Sequence, residues 1–279
     1  MLKFVYQATC KLVDEEANVS NILSDKDFDI SLFLETEKKR FDIASISAMA
    51  STLTFLFYDY DRTSDMIEIV RTLQNSFVRT SYLWPLFYLY QGLLSLHFVG
   101  LGVEVNKNLE TAKQNIQYFK TLCNHAPENF LHKCHLLEAE FAAVHKNESE
   151  AIMHYREAIS LSRKYNFIHE EALVCERAGM FYLELGLKDE ALPLLLQSQC
   201  CYNSWGATAK VNHLKKNYPF LSGNLGDRQP TKLDSLEVTH KSEDSVSMMT
   251  DDSSSLSIWR TQKNMRCAAE ETVRNKNSH

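Results

Sequence analysis

The chain has 279 residues, 44% hydrophobic and 24% charged, a globular balance with enough length for a sizeable core. Eight Gly and five Pro are fewer than sandwiches, propellers or Gly-loop-rich α/β enzymes use at their turns, so the composition points to an all-α protein. The net charge of −6 argues against a broad nucleic-acid surface. The seven cysteines, odd in number and without a Cys-x2-Cys pair, read as reduced thiols of a cytoplasmic protein.

Residues 1–40 read as an N-terminal helical segment. Lys3 and Lys11 frame a mixed stretch followed by Asp14, Glu15 and Glu16, without the apolar centre of a secretory signal. Residues 41–222 carry helical periodicity with short polar breaks. Phe41 to Tyr58 is apolar-rich, and Met66, Ile67, Ile69, Val70 and Leu73 mark an amphipathic face after it. Leu83 to Val103 runs 21 residues without a formal charge, long enough for a membrane span. Gln91, His97, Gly100 and Gly102 within it, and flanks without a dense basic cluster, favour a helix buried among other helices.

Further along, Asn108 is expected to cap the helix through Ala112, Ile116 and Phe119, and Pro127 to open the next one. Asn147 with Glu150 forms a capping-box pattern, Pro193 falls early in a helix, and Pro219 closes the last one. Residues 223–279 form a Ser/Asp-rich tail, with 223–255 predicted to be disordered and a short helix expected over 256–273 around Trp259.

A repeat runs through the helical part. Gly179, Tyr182 and Ala191 lie at offsets 0, +3 and +12, and Ala139 and Ala151 repeat the first and last of these. In a tetratricopeptide-like helix pair the small residue admits close approach, the aromatic fills the gap and the alanine seats the second helix. Gly92 matches the close-approach position one unit earlier, with Ala112 following 20 residues on across a longer loop. Ala151, Tyr155 and Ala158 match the second-helix pattern. The alanines at 112, 151 and 191 stand 39 and 40 residues apart, so the units exceed the standard length of ~34. Trp205 and Gly206 mark a tight corner, where glycine permits the turn and tryptophan covers the end of the core.

These residues carry a more specific resemblance. Asn129-Phe130-Leu131-His132-Lys133, Glu138-Ala139-Glu140 and His169-Glu170-Glu171-Ala172-Leu173 belong to it, as does the run from Cys201-Tyr202-Asn203-Ser204-Trp205-Gly206 through Val211 to Tyr218-Pro219. Together they resemble the tetratricopeptide-like region of large signalling proteins. Those proteins join a Ser/Thr-kinase-like domain, a STAND-type ATPase, this helical region, a GAF domain and a histidine kinase. The likeness is strongest over 128–221 and extends back to about 41, where Phe55 to Tyr60 also fits. It implies an α-solenoid that works by binding proteins, with kinase or ATPase components of a two-component phosphorelay as partners. No Gly-x4-Gly-Lys-Ser/Thr loop and no His-Arg-Asp or Asp-Phe-Gly motif occurs, so no nucleotide-binding or phosphotransfer residue carries over. The expectation is a non-catalytic module without a cofactor.

Two other readings stay open. Cys123, His125, His132, Cys134 and His135, with Glu138, would supply the ligands of an enzyme's metal centre, although their spacing fits no standard zinc motif. Leu83 to Val103 would make the chain a single-span membrane protein. His169-Glu170-Glu171 is expected to open a helix, where acids favour the positive end of the dipole. Lys210, His213, Lys215 and Lys216 form a small basic helix face, suited to an acidic partner segment.

Overall fold

A computed structural model describes residues 2–14, 23–24, 29–73 and 83–222; the Ser/Asp-rich tail and its expected helix lie outside them. The described residues fold into α1 (Leu2–Val13), α2 (Ile30–Thr36), α3 (Arg40–Leu56), α4 (Tyr60–Leu73), α5 (Leu83–Gly100), α6 (Val105–Cys123), α7 (Pro127–Val144), α8 (Glu148–Lys164), α9 (Ile168–Glu184), α10 (Lys188–Trp205) and α11 (Thr208–Asn217). No named strand occurs among them, and a single isolated bridge joins Ser24 to Asp29. Met1–Lys216 forms one compact unit; a second begins at Asn217, and its described part includes the 3₁₀ turn Pro219–Ser222.

Successive helices pack as pairs, α3 with α4, α5 with α6, α7 with α8 and α9 with α10. The turn inside each pair is the same. Tyr58, Gly102, Lys146 and Gly186 adopt left-handed backbone with φ of 62°, 78°, 61° and 79°. In each case the following residue donates its N–H five residues back: Asp59 to Thr54, Val103 to Phe98, Asn147 to Ala142 and Leu187 to Tyr182, at 2.8–3.0 Å. This is the Schellman closure, which satisfies helix-end carbonyls that would otherwise face the core unpaired. The same turn joins α8 to α9 at Asn166 and α10 to α11 at Gly206. Left-handed residues therefore recur at 146, 166, 186 and 206, every 20 residues, and the pair-internal turns recur at 58, 102, 146 and 186.

That register places small buried residues at matching points, seven before each pair-internal turn: Ser51, Ser95, Ala139 and Gly179. Gly179 lies against α10 so closely that an added Cβ would sit 2.6 Å from Leu195 Cγ. Gly92 stands three residues ahead of the matching point and serves a different contact, with α7, where a Cβ would lie 2.8 Å from Leu137 Cδ2. Ala112 is likewise displaced by one helical turn. Asn108 takes the place that Ala151 and Ala191 hold, since all three donate their N–H to the carbonyl four residues back at the helix start. Asn108 is thus inside α6 and not its cap, and its side chain donates to the Val103 carbonyl at 2.9 Å. Pro127 is the first residue of α7, Pro193 lies inside α10, and Pro219 follows the end of α11. Asn147 precedes α8 but makes no side-chain cap bond; its amide donates instead to Glu150 at 2.5 Å.

Helix α5 holds the uncharged stretch that raised the question of a membrane. No described helix is long and apolar enough to cross one. Its apolar residues face protein on several sides, because α3, α4, α6 and α7 all pack on it. Gln91 within it accepts from Asn115 of α6 at 3.1 Å, which pairs the two buried amides across the helices.

A polar network links distant helices through α9, whose residues Glu171 to Phe181 are all buried. Glu176, 1% exposed, accepts from Lys210 Nζ of α11 at 2.6 Å, from Tyr202 of α10 at 2.8 Å and from Tyr58. Lys210, 0% exposed, also donates to the Leu56 carbonyl at the end of α3, with the Tyr58 ring 4.4 Å from its ammonium. One residue on, Arg177 forms a two-pronged bond to Glu140 of α7 at 2.7 and 2.6 Å, and Tyr155 of α8 donates to the same carboxylate at 2.8 Å. The basic face expected on α11 is therefore split. Lys210 points inward, and His213 lies half-buried against the rings of Phe57 and Tyr58. Burial pushes the Lys210 pKa down, opposed by Glu176, and burial followed by the Lys210 charge pushes His213 down to about 2.

Three outcomes are expected. Gly179→Leu should overpack the α9–α10 contact and cost about 1–3 kcal/mol, read as a lower unfolding midpoint in urea. Lys210→Met should cost about 3–5 kcal/mol by leaving Glu176 buried and unpaired, and Lys210→Met with Glu176→Gln should recover part of that. His213 has a folded pKa below its unfolded value of 6.5, so it takes nothing from stability above that pH. Below it the unfolded chain binds a proton that the folded chain refuses, so stability should fall by up to about 1.4 kcal/mol per pH unit for this group. Replacement by Phe should shallow that acid slope in melts taken across the acid range.

Candidate functional site

The His- and Cys-rich stretch lies on α7 and the turn before it, and the helix divides it. Cys123 ends α6 half-buried, and His125 is exposed in the turn. Cys134 faces inward, where burial pushes its thiol up to about 12, and burial raises Cys123 as well. Burial thus favours the protonated form of both thiols.

His132 turns toward α9. Its Nε2 contacts Glu170, the ring stacks on Phe167 with centroids 4.6 Å apart, and Lys133 donates to Glu170 at 2.8 Å. Burial lowers the His132 pKa against the pull of Glu170. Burial works against the Glu170 carboxylate, yet hydrogen bonds from His132 and His169 and the Lys133 charge hold it well below its ordinary range. Glu170 and Glu171 lie in the first turn of α9, as the dipole argument requires. This cluster ties α7 to α9 through Glu170, while Nδ1 of His132 is buried without a hydrogen-bond partner among the described residues.

His135, three residues on, faces α8 instead. Its Nδ1 lies 2.8 Å from Nδ1 of His154, and Glu138 Oε2 lies 3.6 Å from the first and 3.5 Å from the second. The other Glu138 oxygen accepts from Lys120 of α6 at 2.8 Å. Glu150, one turn before His154 on α8, lies 3.9 Å from its Nε2. These three side chains are the His, Cys, Asp and Glu group among the described residues whose atoms converge within 4.8 Å. Burial lowers the His135 pKa, with Glu138 opposing and His154 assisting.

Of the candidates read from sequence, His135 and Glu138 meet here, while Cys123, His125, His132 and Cys134 do not join the group. His154, which the sequence does not single out, sits 19 residues away on the next helix. Its signal was the α8 face carrying Glu150 and His154 at i,i+4 spacing, which becomes legible only once the turn at Lys146 sets how α7 lies on α8.

The repeat positions lie in the helix contacts. Ala112, Ala139, Ala151, Ala158 and Ala191 are fully buried, and Tyr155 is buried with its ring 5.5 Å from Phe181. Tyr182 is half-buried beside Phe181, so Phe181 and Tyr155 fill the α8–α9 gap. Gly206 holds φ of 86° at the end of α10, the corner expected of it. Trp205 remains 39% exposed, its ring 5.4 Å from His169 and 6.5 Å from Tyr202, so it shields an edge and not the core end.

No family profile matches the chain, and no solved structure matches it. Part of the chain, 62 residues or 22% of its length, is 34% identical to a protein of Dictyostelium discoideum described as hybrid signal transduction histidine kinase G. The matching stretch spans 2% of that protein. The chain, helical among its described residues, is thus similar over a short region to a much larger protein described as a histidine kinase.

Proposed function

We propose that the chain is a non-catalytic protein-interaction module of tetratricopeptide-like helix pairs, acting in the cytoplasm as a scaffold or regulator of histidine-kinase signalling. The observation that carries this reading is the regular backbone: identical closures at 58, 102, 146 and 186, with a small buried residue seven places before each. Stacked helix pairs of this kind present extended surfaces to proteins more readily than they enclose a small substrate. The similarity to a histidine kinase over 62 residues supports the signalling context. Kinase or ATPase components are the partners this context favours, and fold analogy alone would not name them.

Affinity capture of the intact chain from its native cells is expected to retrieve histidine-kinase or ATPase signalling proteins, and retrieval of neither class overturns the reading. Calorimetry of the purified chain with ATP and magnesium should show no saturable binding. A phosphate site needs converging backbone N–H groups after a glycine-rich turn, whereas Gly102, Gly186 and Gly206 each close a helix.

A further inference from the structure

The group formed by His135, Glu138 and His154 has a use that the interaction reading does not supply. We propose that these three side chains bind a single zinc-class divalent ion that clamps α7 to α8. The case rests on shape and ligand type. A tetrahedral ion with bonds of about 2.0–2.1 Å sets neighbouring ligand atoms roughly 3.3 Å apart. The three edges of the group are 2.8, 3.5 and 3.6 Å, so shifts of a few tenths of an ångström bring all three atoms to one ion. Two imidazoles and one carboxylate select borderline metals over calcium or magnesium, which want oxygen alone.

The surroundings fit the same use. Two Nδ1 atoms 2.8 Å apart leave room for one proton or one metal ion between the rings, since two imidazolium rings would set like charges face to face. Glu138 has an oxygen for each task, Oε2 toward the histidines and Oε1 toward Lys120. Glu150 beside His154 Nε2 stands where an outer carboxylate orients a metal-binding imidazole. Side-chain exposures of 20%, 19% and 12% for His135, Glu138 and His154 leave water access for the remaining coordination position. With three protein ligands the site is an exchangeable clamp, unlike the closed four-ligand sites on which zinc fingers depend. Its positions on two helices mean that the ion would stiffen one pair while leaving the His132–Glu170 lock untouched.

Zinc chloride titrated into the intact, reduced and chelator-stripped chain should show one ion per chain by calorimetry. His154→Ala should abolish that binding, and Glu150→Gln should weaken it about tenfold. His125→Gln, altering an exposed histidine outside the group, should leave it unchanged. Should His154→Ala lose its helical signal, His135→Gln and Glu138→Gln carry the same test. X-ray absorption at the zinc edge should report nitrogen and oxygen neighbours only. A sulfur neighbour would assign the ion to the cysteines and overturn the proposal. So would zinc binding that survives His135→Gln and Glu138→Gln unchanged, or its absence from the native chain. ATP binding or failed partner capture would bear on the interaction reading and leave these outcomes intact.

Discussion

The contact on which the arrangement of helices depends is the buried ion pair between Glu176 and Lys210. A lone ammonium or carboxylate in that place would be prohibitive, and here each has its partners. Lys210 serves Glu176 and the Leu56 carbonyl, and Glu176 also takes the hydroxyls of Tyr58 and Tyr202. The network therefore joins the end of α3 to α9, α10 and α11 across 154 residues of chain. Apolar packing alone would tolerate a sliding of α11 along its groove; a directional bond to one carbonyl does not. Arg177 extends the same logic to α7 and α8 through Glu140 and Tyr155. Two adjacent charged residues on α9 thus fix its neighbours on both sides.

This tie sets the molecule apart from an ideal repeat array, in which each unit meets only its neighbours. Within the helix pairs the local rules recur: one turn type, with a small buried residue seven places before it. The long-range rule comes from Lys210 and its partners. Regular closure also explains why Lys146 and Asn166 tolerate a backbone that favours glycine. The position is determined by the Schellman bonds around it, so strain at one residue is outweighed by carbonyls satisfied at the helix end.

Two histidines three residues apart on α7 show how a helix separates chemistry. His132 is stacked on Phe167 and bonded to Glu170, which leaves it a structural role between α7 and α9. His135 reaches α8, where it meets His154 together with the Glu138 carboxylate of its own helix. The same residue type, on the same helix, is a lock in one case and an open ligand set in the other. What differs is the helix each one faces.

Much of this was determined by the sequence itself. Few glycines and prolines, helical periodicity and Pro127, Gly206 and Pro219 at helix ends follow from backbone physics that acts within a few residues, and each is legible without a fold. Gly179 and Ala191 were legible for the same reason, since close approach of consecutive helices needs a small residue at a fixed offset. Gly92 and Ala112 lie three residues before and four residues after the points that match Gly179 and Ala191, an offset that shows only once the turn at Gly102 is placed, and small residues such as Ser51 and Ser95 do not stand out from composition. Lys210 read as part of a solvated basic face, since a charge on a helix is usually exposed. Only the tertiary structure decided that it turns inward, because its partners Leu56, Tyr58 and Glu176 come from elements far apart in the chain. His154 was hidden in the same way. A site shared by two helices depends on how one lies against the other, and that angle is set by packing and turn closure, not by spacing along either strand of sequence.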